Sequence, residues 1–294
     1  MNSDETIVRR VRHPLKIRRL AVKRVAAPTP RVRRITLAGP ELDGLVTLAP
    51  EDHVKVFLPA PGARLPVLPV VTPEGRIAPP AEGGRPVARD YTLRRHDAAA
   101  GELDIDFFLH GGGGVVGDAG GGENGVASAW AARARPGDVV GIGGPRGSHV
   151  MAEVFDWYLL VGDETALPAI ARRLEEFEGV APQTRAFAVI VVADEAGRQA
   201  LRAPVAGGVT WVVCPPDTVG TAAGRAAALT EAVRGLPFPD GRGFAWVAGE
   251  VTEARAVALH LLGERDFVTS RMNVSGHWKR GVSNHDHHAP VIVE

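Results

Sequence analysis

Arg89–Asp90–Tyr91–Thr92–Leu93–Arg94 places two guanidinium groups, a phenol ring and a hydroxyl within six residues. On an extended strand, alternation sends Arg89, Tyr91 and Leu93 to one face and Asp90, Thr92 and Arg94 to the other, unless a bend re-aims them. The planar arginine fork binds phosphate oxygens two at a time. An aromatic face beside a hydroxyl suits a flat heteroaromatic ring. One such strand can therefore hold both the diphosphate and the isoalloxazine ring of a flavin dinucleotide. The same hexapeptide also fits a surface strand whose arginines are simply solvated.

A second block follows, with Asp106–Phe107–Phe108–Leu109–His110, then Gly125–Val126–Ala127–Ser128–Ala129–Trp130, then Arg135–Pro136–Gly137–Asp138, ending in Gly144–Pro145–Arg146–Gly147. A helix beginning near Ala127 points free backbone N–H groups and the positive end of its dipole at an anion, and Ser128 adds a hydroxyl. Taken singly, Ser128 reads equally as a helix cap, Trp130 as a core aromatic and His110 as a hydrogen-bonded strand residue.

Further along, Val161–Gly162–Asp163–Glu164–Thr165–Ala166–Leu167–Pro168 has the form of a strand-to-helix turn, with Pro168 tolerated in the first helical turn. It is not a G-x-G-x-x-G dinucleotide fingerprint. Asp163, Glu164 and Glu250 also read as acids that balance helix dipoles. Arg198 and Arg225 are the cations on hand for a nucleotide phosphate. Near the end, Ser275–Gly276–His277–Trp278–Lys279–Arg280–Gly281 offers two cations for an anionic ligand, or a docked strand with solvated charges. Adjacent histidines in His285–Asp286–His287–His288 do not form a closed metal site, and no metal is expected.

The elements that must position these groups fall into two kinds. Short β-rich runs at Arg18–Val25, Arg31–Leu37, Asp52–Leu58, Arg89–Arg94 and Glu102–His110, separated by Pro and Gly turns, predict a small antiparallel barrel, with 59–86 as an excursion between its strands. From Trp157 strands and helices alternate. The strands are Trp157–Val161, Ala186–Val192, Val209–Val213, Phe244–Val247 and Val268–Val274. The helices start with the stripe Leu167, Ile170, Leu174, Phe177 and continue at Thr221–Arg234 and Glu253–Leu262, which predicts an open parallel sheet covered by helices. The domains are expected at 1–150 and 151–294.

With 34 basic and 34 acidic residues, no net field draws the chain to nucleic acid or to an anionic membrane. A lone Cys214 supplies neither a disulfide nor the thiolates of an iron–sulfur cluster, so redox work needs a bound cofactor. There is no signal-peptide core and no apolar run long enough to span a bilayer. A cytoplasmic monomer with small-molecule partners is expected.

In their order, the Arg-x-Tyr-Thr-x-Arg strand, the Asp-Phe-x-x-His strand, the Ala-Ser-x-Trp turn and helix and the Pro-Gly-Asp…Gly-Pro-x-Gly segment resemble the siderophore-interacting proteins, over Lys16 to His288. The resemblance implies a ferredoxin-reductase-like chain, an N-terminal antiparallel FAD-binding β-barrel followed by an open parallel α/β nucleotide-binding domain. It implies FAD as cofactor and NADPH or NADH as electron donor. It also implies that Arg89 and Arg94 face phosphate or ribityl groups, Tyr91 stacks on the flavin, Thr92 bonds near N5, and His110, Ala127 and Ser128 lie along the cofactor. Asp163, Glu164, Thr165 and Ala166, with Gly249 and Glu250, mark the nucleotide entry, and Lys279 and Arg280 the docking of a ferric siderophore. Three departures stand out: Val126 replaces a proline, the glycine-rich stretch Gly111–Gly125 is long, and His277 replaces the tyrosine of a Gly-Tyr-Trp-Arg-x-Gly ending.

The implied activity is electron transfer from NAD(P)H through flavin to a ferric siderophore, with release of Fe(II). Reduction of another acceptor, such as a quinone or biosynthetic intermediate, and a non-enzymatic carrier of flavin or ferric siderophore are the other readings.

Overall fold

The computed structural model describes residues 8–82, 84–109, 125–151, 155–203, 207–215, 221–282 and 289–292. They form two compact units that part near residue 152.

The first unit opens with β1 (Val8–Arg12), β2 (Ile17–Thr29), β3 (Val32–Ala38) and β4 (His53–Leu58). A short hairpin follows, β5 (Val70–Val71) with β6 (Ile77–Ala78), and then come β7 (Val87–Asp97), β8 (Glu102–Phe108), α1 (Val126–Arg133), β9 (Val139–Gly143) and β10 (Gly147–Met151). Six strands close a barrel in the order β2-β3-β8-β7-β4-β9, and β1 pairs with β10. Its neighbouring strands run antiparallel.

Strict alternation builds this barrel. Along β8, Leu103, Ile105 and Phe107 enter the core with Leu20, Ile35, Leu37, Val54, Val56 and Leu93. The intervening acids meet partners on the neighbouring strands: Arg34 grips Asp106 with two bonds of 2.7 Å, and the Thr36 hydroxyl donates to Asp104 at 2.6 Å. Each fully buried Leu or Ile contributes roughly 1.5–3 kcal/mol. One face of α1 buries Ala127, Trp130 and Ala131 in the same core, with Trp130 5.4 Å from the Phe107 ring. The 59–86 excursion packs onto the barrel through Leu68. A Cβ on Gly141 of β9 would lie 2.1 Å from Leu68 Cδ2, so a side chain there would displace the end of Leu68.

The second unit contains β11 (Trp157–Gly162), α2 (Leu167–Val180), β12 (Arg185–Val192), β13 (Gly207–Val213), α3 (Ala222–Arg234), β14 (Gly243–Glu250), α4 (Val251–Glu264) and β15 (Met272–Trp278). The five strands are all parallel, in the order β13-β12-β11-β14-β15. The chain lays down the central strand first, adds two on one side and then two on the other. The order therefore reverses between β11 and β14, and in open α/β sheets ligands bind at the carboxyl ends of the strands beside such a reversal.

The last strand lies four residues later than the expected Val268–Val274. Thr269–Arg271 form a 3-10 turn, Val268 is half exposed, and pairing begins only where Met272 meets Ala245.

Candidate functional site

The β7–β4 register sets Arg89 beside Val56 and Tyr91 beside Val54, on the core side, and Asp90 beside Lys55 and Thr92 beside His53, on the outer side. A register shift between Leu93 and Arg95 interrupts the β7–β8 ladder there, so Arg94 is the extra residue of a bulge. This is the bend that simple alternation left open. Tyr91 rests on Phe107 at 4.3 Å between ring centroids yet keeps part of its surface exposed, and burial pushes its phenol up, so it stays protonated. Arg89, Thr92 and Arg94 are half-buried, and Arg89 Nη1 donates to its neighbour Ala88 O at 2.7 Å.

At α1 the N-cap is Gly125, and no side chain caps the first turn. Its leading amides belong to Val126, Ala127 and Ser128, the last two buried. Four orphan N–H groups per helix start call for a partner, and an anion is one. His110 and the glycine-rich stretch as far as residue 124 lie outside the described residues, as do His285 to His288.

At the reversal point of the second unit, Asp163 is the organising group. Its Oδ1 accepts from the Thr165 amide at 2.8 Å and hydroxyl at 2.6 Å, and its Oδ2 accepts from the Glu250 amide at 3.0 Å and the Trp278 indole at 2.7 Å. Gly249 has φ 138°, and a Cβ there would lie 2.8 Å from the Asp163 carboxyl carbon, so the strand end can close on Asp163 only with glycine. Glu164 is buried and lies near the Ala193 amide (3.4 Å), at the end of β12. Burial first, and then the Asp163 charge, push the Glu164 carboxyl up to about 7.

Residues 21–149 match the siderophore-interacting FAD-binding domain, and residues 155–281 match the siderophore-interacting protein model. The chain belongs to the siderophore-interacting proteins. It is 34% identical over 278 residues to an NADPH-dependent ferric-chelate reductase of Escherichia coli, covering 95% of this chain and 99% of that one. A ferric vibriobactin reductase of Vibrio cholerae, ViuB, is 31% identical over 87% of this chain and 86% of its own. Among solved structures, a siderophore utilization protein from T. fusca superposes with a TM-score of 0.81 at 39% identity, covering 96% of this chain and all of the other. SipS from Aeromonas hydrophila gives 0.70 at 28% identity, over 90% and 92%.

The donor set of this siderophore-interacting protein fits FAD. Two half-buried arginines, a neutral tyrosine and the uncapped α1 are what a diphosphate and a flat ring require. In the second unit the structure redistributes roles. Glu250 is 1% exposed and caps α4, accepting from the amides of Thr252 (2.6 Å), Glu253 (3.1 Å) and Arg280 (3.2 Å), so its carboxylate faces its own fold. Asp163 is likewise consumed by internal donors, and among these residues Thr165 keeps part of its surface exposed while Ala166 and Gly249 are buried. Arg225, offered by the sequence as a phosphate contact, is 3% exposed and bonded to Glu253 Oε1 at 2.7 Å, so that role is withdrawn. Trp278 as the tie to Asp163 was missed. Its side-chain type was visible, but the pairing joins residues 115 apart. Lys279 is exposed, whereas Arg280 lies 6.0 Å from the Trp278 ring with Nε and Nη2 buried.

Proposed function

We propose that the protein takes the two electrons of NAD(P)H and passes them one at a time to ferric siderophores, so that one nucleotide yields two Fe(II), NAD(P)⁺ and a proton. The carrying observation is the pairing, in one siderophore-interacting chain, of the β7 anion-and-ring strand with a five-stranded parallel sheet whose reversal point bears the Asp163 turn. FAD, when bound, converts the electron pair of the hydride into single-electron steps.

The residues of the chain bind and orient. Arg89 and Arg94 take the anionic parts of FAD, and the α1 amides at Ala127 and Ser128 take phosphate. His110, outside the described residues, is assigned to the cofactor by the family resemblance alone. Tyr91, held by Phe107, lends its remaining ring surface to the flavin, and Thr92 offers a hydroxyl near N5. Thr165 presents the nucleotide surface, with Asp163, Glu164, Ala166, Gly249 and Glu250 bracing it from within. Lys279 and Arg280 attract the anionic chelate, whose hard oxygen donors hold Fe(II) less tightly than Fe(III). On this reading 1–150 is the flavin domain and 151–294 the nucleotide domain of a cytoplasmic monomer. No helix among the described residues is long and apolar enough to cross a membrane.

The test is the visible spectrum of the FAD-loaded protein under anaerobic conditions. Addition of NADPH or NADH should bleach the flavin band, and a ferric siderophore with an Fe(II) trap should restore it as Fe(II) forms. A band that stays oxidised with either nucleotide would leave a carrier. Recovery with quinone but not with ferric chelates would move the activity to another acceptor.

A further inference from the structure

The β14–β15 register jumps where Gly249 pairs with Gly276 and Glu250 pairs with Trp278. His277 is the extra residue of this bulge, a device that re-aims a side chain. Its Nδ1 lies 3.4 Å from the Thr165 hydroxyl oxygen, and its ring lies edge-on to Trp246 at 6.2 Å. The single Thr165 hydroxyl proton goes to Asp163 at 2.6 Å. The longer contact is therefore made by an N–H on Nδ1, which fixes the tautomer of neutral His277 and holds its ring over the turn that leads into α2. α2 starts at Ala166 with no side-chain cap. Imidazole is the side chain whose charge changes near neutral pH.

We propose that His277 is a nucleotide-binding residue whose protonated ring adds a positive charge at the Thr165 turn, so that this protein binds NAD(P)H more tightly as the pH falls. The proposal rests on the nucleotide reading of that turn. The other charged groups on the elements packed around His277 are Asp163 and Glu164 from the β11–α2 turn, Glu250 from the end of β14, Lys279 and Arg280 just beyond β15, and Glu253 from the first turn of α4 with its partner Arg225 of α3. Glu164 and Glu253, each pushed up to about 7 chiefly by burial, titrate in the same window. A comparison between proteins, rather than one pH profile, therefore isolates His277. The same comparison cancels the titration of the nucleotide's own phosphate.

The measurement is the dissociation constant of unreactive NADP⁺ from the FAD-loaded protein, by quenching of tryptophan fluorescence, across about pH 5.5 to 8.5. Wild type should lose about fivefold more affinity over that range than His277→Tyr or His277→Gln, the worth of one exposed charge contact. In proton NMR, the imidazole resonance missing from His277→Gln should titrate at higher pH when NADP⁺ is bound. Parallel affinity profiles in wild type and both variants, or an imidazole midpoint unmoved by NADP⁺, would overturn the inference. A Thr165→Arg variant separates the two levels. If it binds NADP⁺ as wild type does, the nucleotide reading of the turn fails; if it loses NADP⁺ while the profiles stay parallel, only the role of His277 fails.

Discussion

The indole of Trp278 donates to Asp163 Oδ2 at 2.7 Å, and this one bond fastens the end of the last strand to the turn after the first. The same oxygen accepts the Glu250 amide, so three strand ends, β11, β14 and β15, converge on one carboxylate. A buried acceptor that loses a donor pays the cost of desolvation without compensation. Trp278→Phe keeps an aromatic side chain, though a smaller one, and removes the donor, and should destabilise the second unit by about 1–3 kcal/mol. Urea unfolding followed by far-UV circular dichroism checks this. A midpoint equal to wild type would show that the bond contributes nothing.

Arg225 and Glu253 form a buried ion pair, 4% and 2% exposed at the side chains, with Glu253 Oε2 left without a partner. Removing one member of such a pair costs about 3–5 kcal/mol, whereas replacing both by apolar residues of similar volume is often neutral. Arg225→Met should therefore lower the denaturation midpoint strongly, and Arg225→Met with Glu253→Leu should recover most of it. A double variant no better than the single one would place the cost in packing rather than charge.

The pH dependence of Glu164 has a defined sign. Its carboxyl rises in the folded protein from 4.5 to about 7 because burial, and then the Asp163 charge, oppose ionisation. The folded state thus holds this proton more tightly than the unfolded chain does. The resulting stability is fully present below 4.5 and is lost as pH climbs through about 7. Glu164→Gln does not titrate, so it should gain on wild type by up to about 1.4 kcal/mol per pH unit across that window. Denaturant titrations at the two ends of the window measure the difference. A gap between the proteins that does not change with pH would mean that Glu164 ionises no differently on folding.

Two arginines on barrel strands should behave differently toward FAD. Arg89 lies on β7 among the proposed cofactor residues, while Arg34 lies on β3 in a bidentate pair with Asp106. Loss of a charged hydrogen bond of about 1.5–3 kcal/mol makes Arg89→Ala bind FAD roughly 10- to 100-fold more weakly. Arg34→Ala should leave the affinity unchanged. Titration of the apoprotein with FAD, followed by flavin fluorescence, distinguishes them, and equal affinities in the two variants would take Arg89 out of the site.

What the sequence disclosed, and what it hid, follows from the range of the forces involved. Alternation along the expected Glu102–His110 strand, which ends at Phe108, and the stripe on Leu167–Phe177 are local consequences of burial. The barrel strands β9 and β10 were legible only as a Gly- and Pro-rich motif, because Gly141 and Gly143 carry no side chain to alternate. β15 slipped because Ser275–Gly276 reads as a turn until it has β14 to pair with. In the proposed site, Arg89 to Arg94 are recognisable from residue type together with the family's motifs, since the hexapeptide alone also fits a surface strand. Glu250 at a helix start was legible as a local pattern, whereas the ties of Asp163 to Glu250 and Trp278 and of Arg225 to Glu253 were not, since each is decided by a partner far along the chain.

The barrel is closed by β9, which pairs Ile17 with Gly143 on one side and Val56 with Ile142 on the other. As the chain emerges from the ribosome, β2 and β4 must therefore wait for residues near 143 with their edges unpaired, although β2, β3, β7 and β8 can already pair among themselves. Unpaired strand edges are where nascent chains associate wrongly. The first unit is thus most exposed to misassembly just before synthesis of the second begins, and a ribosomal pause soon after residue 143 has cleared the exit tunnel would give the barrel time to shut.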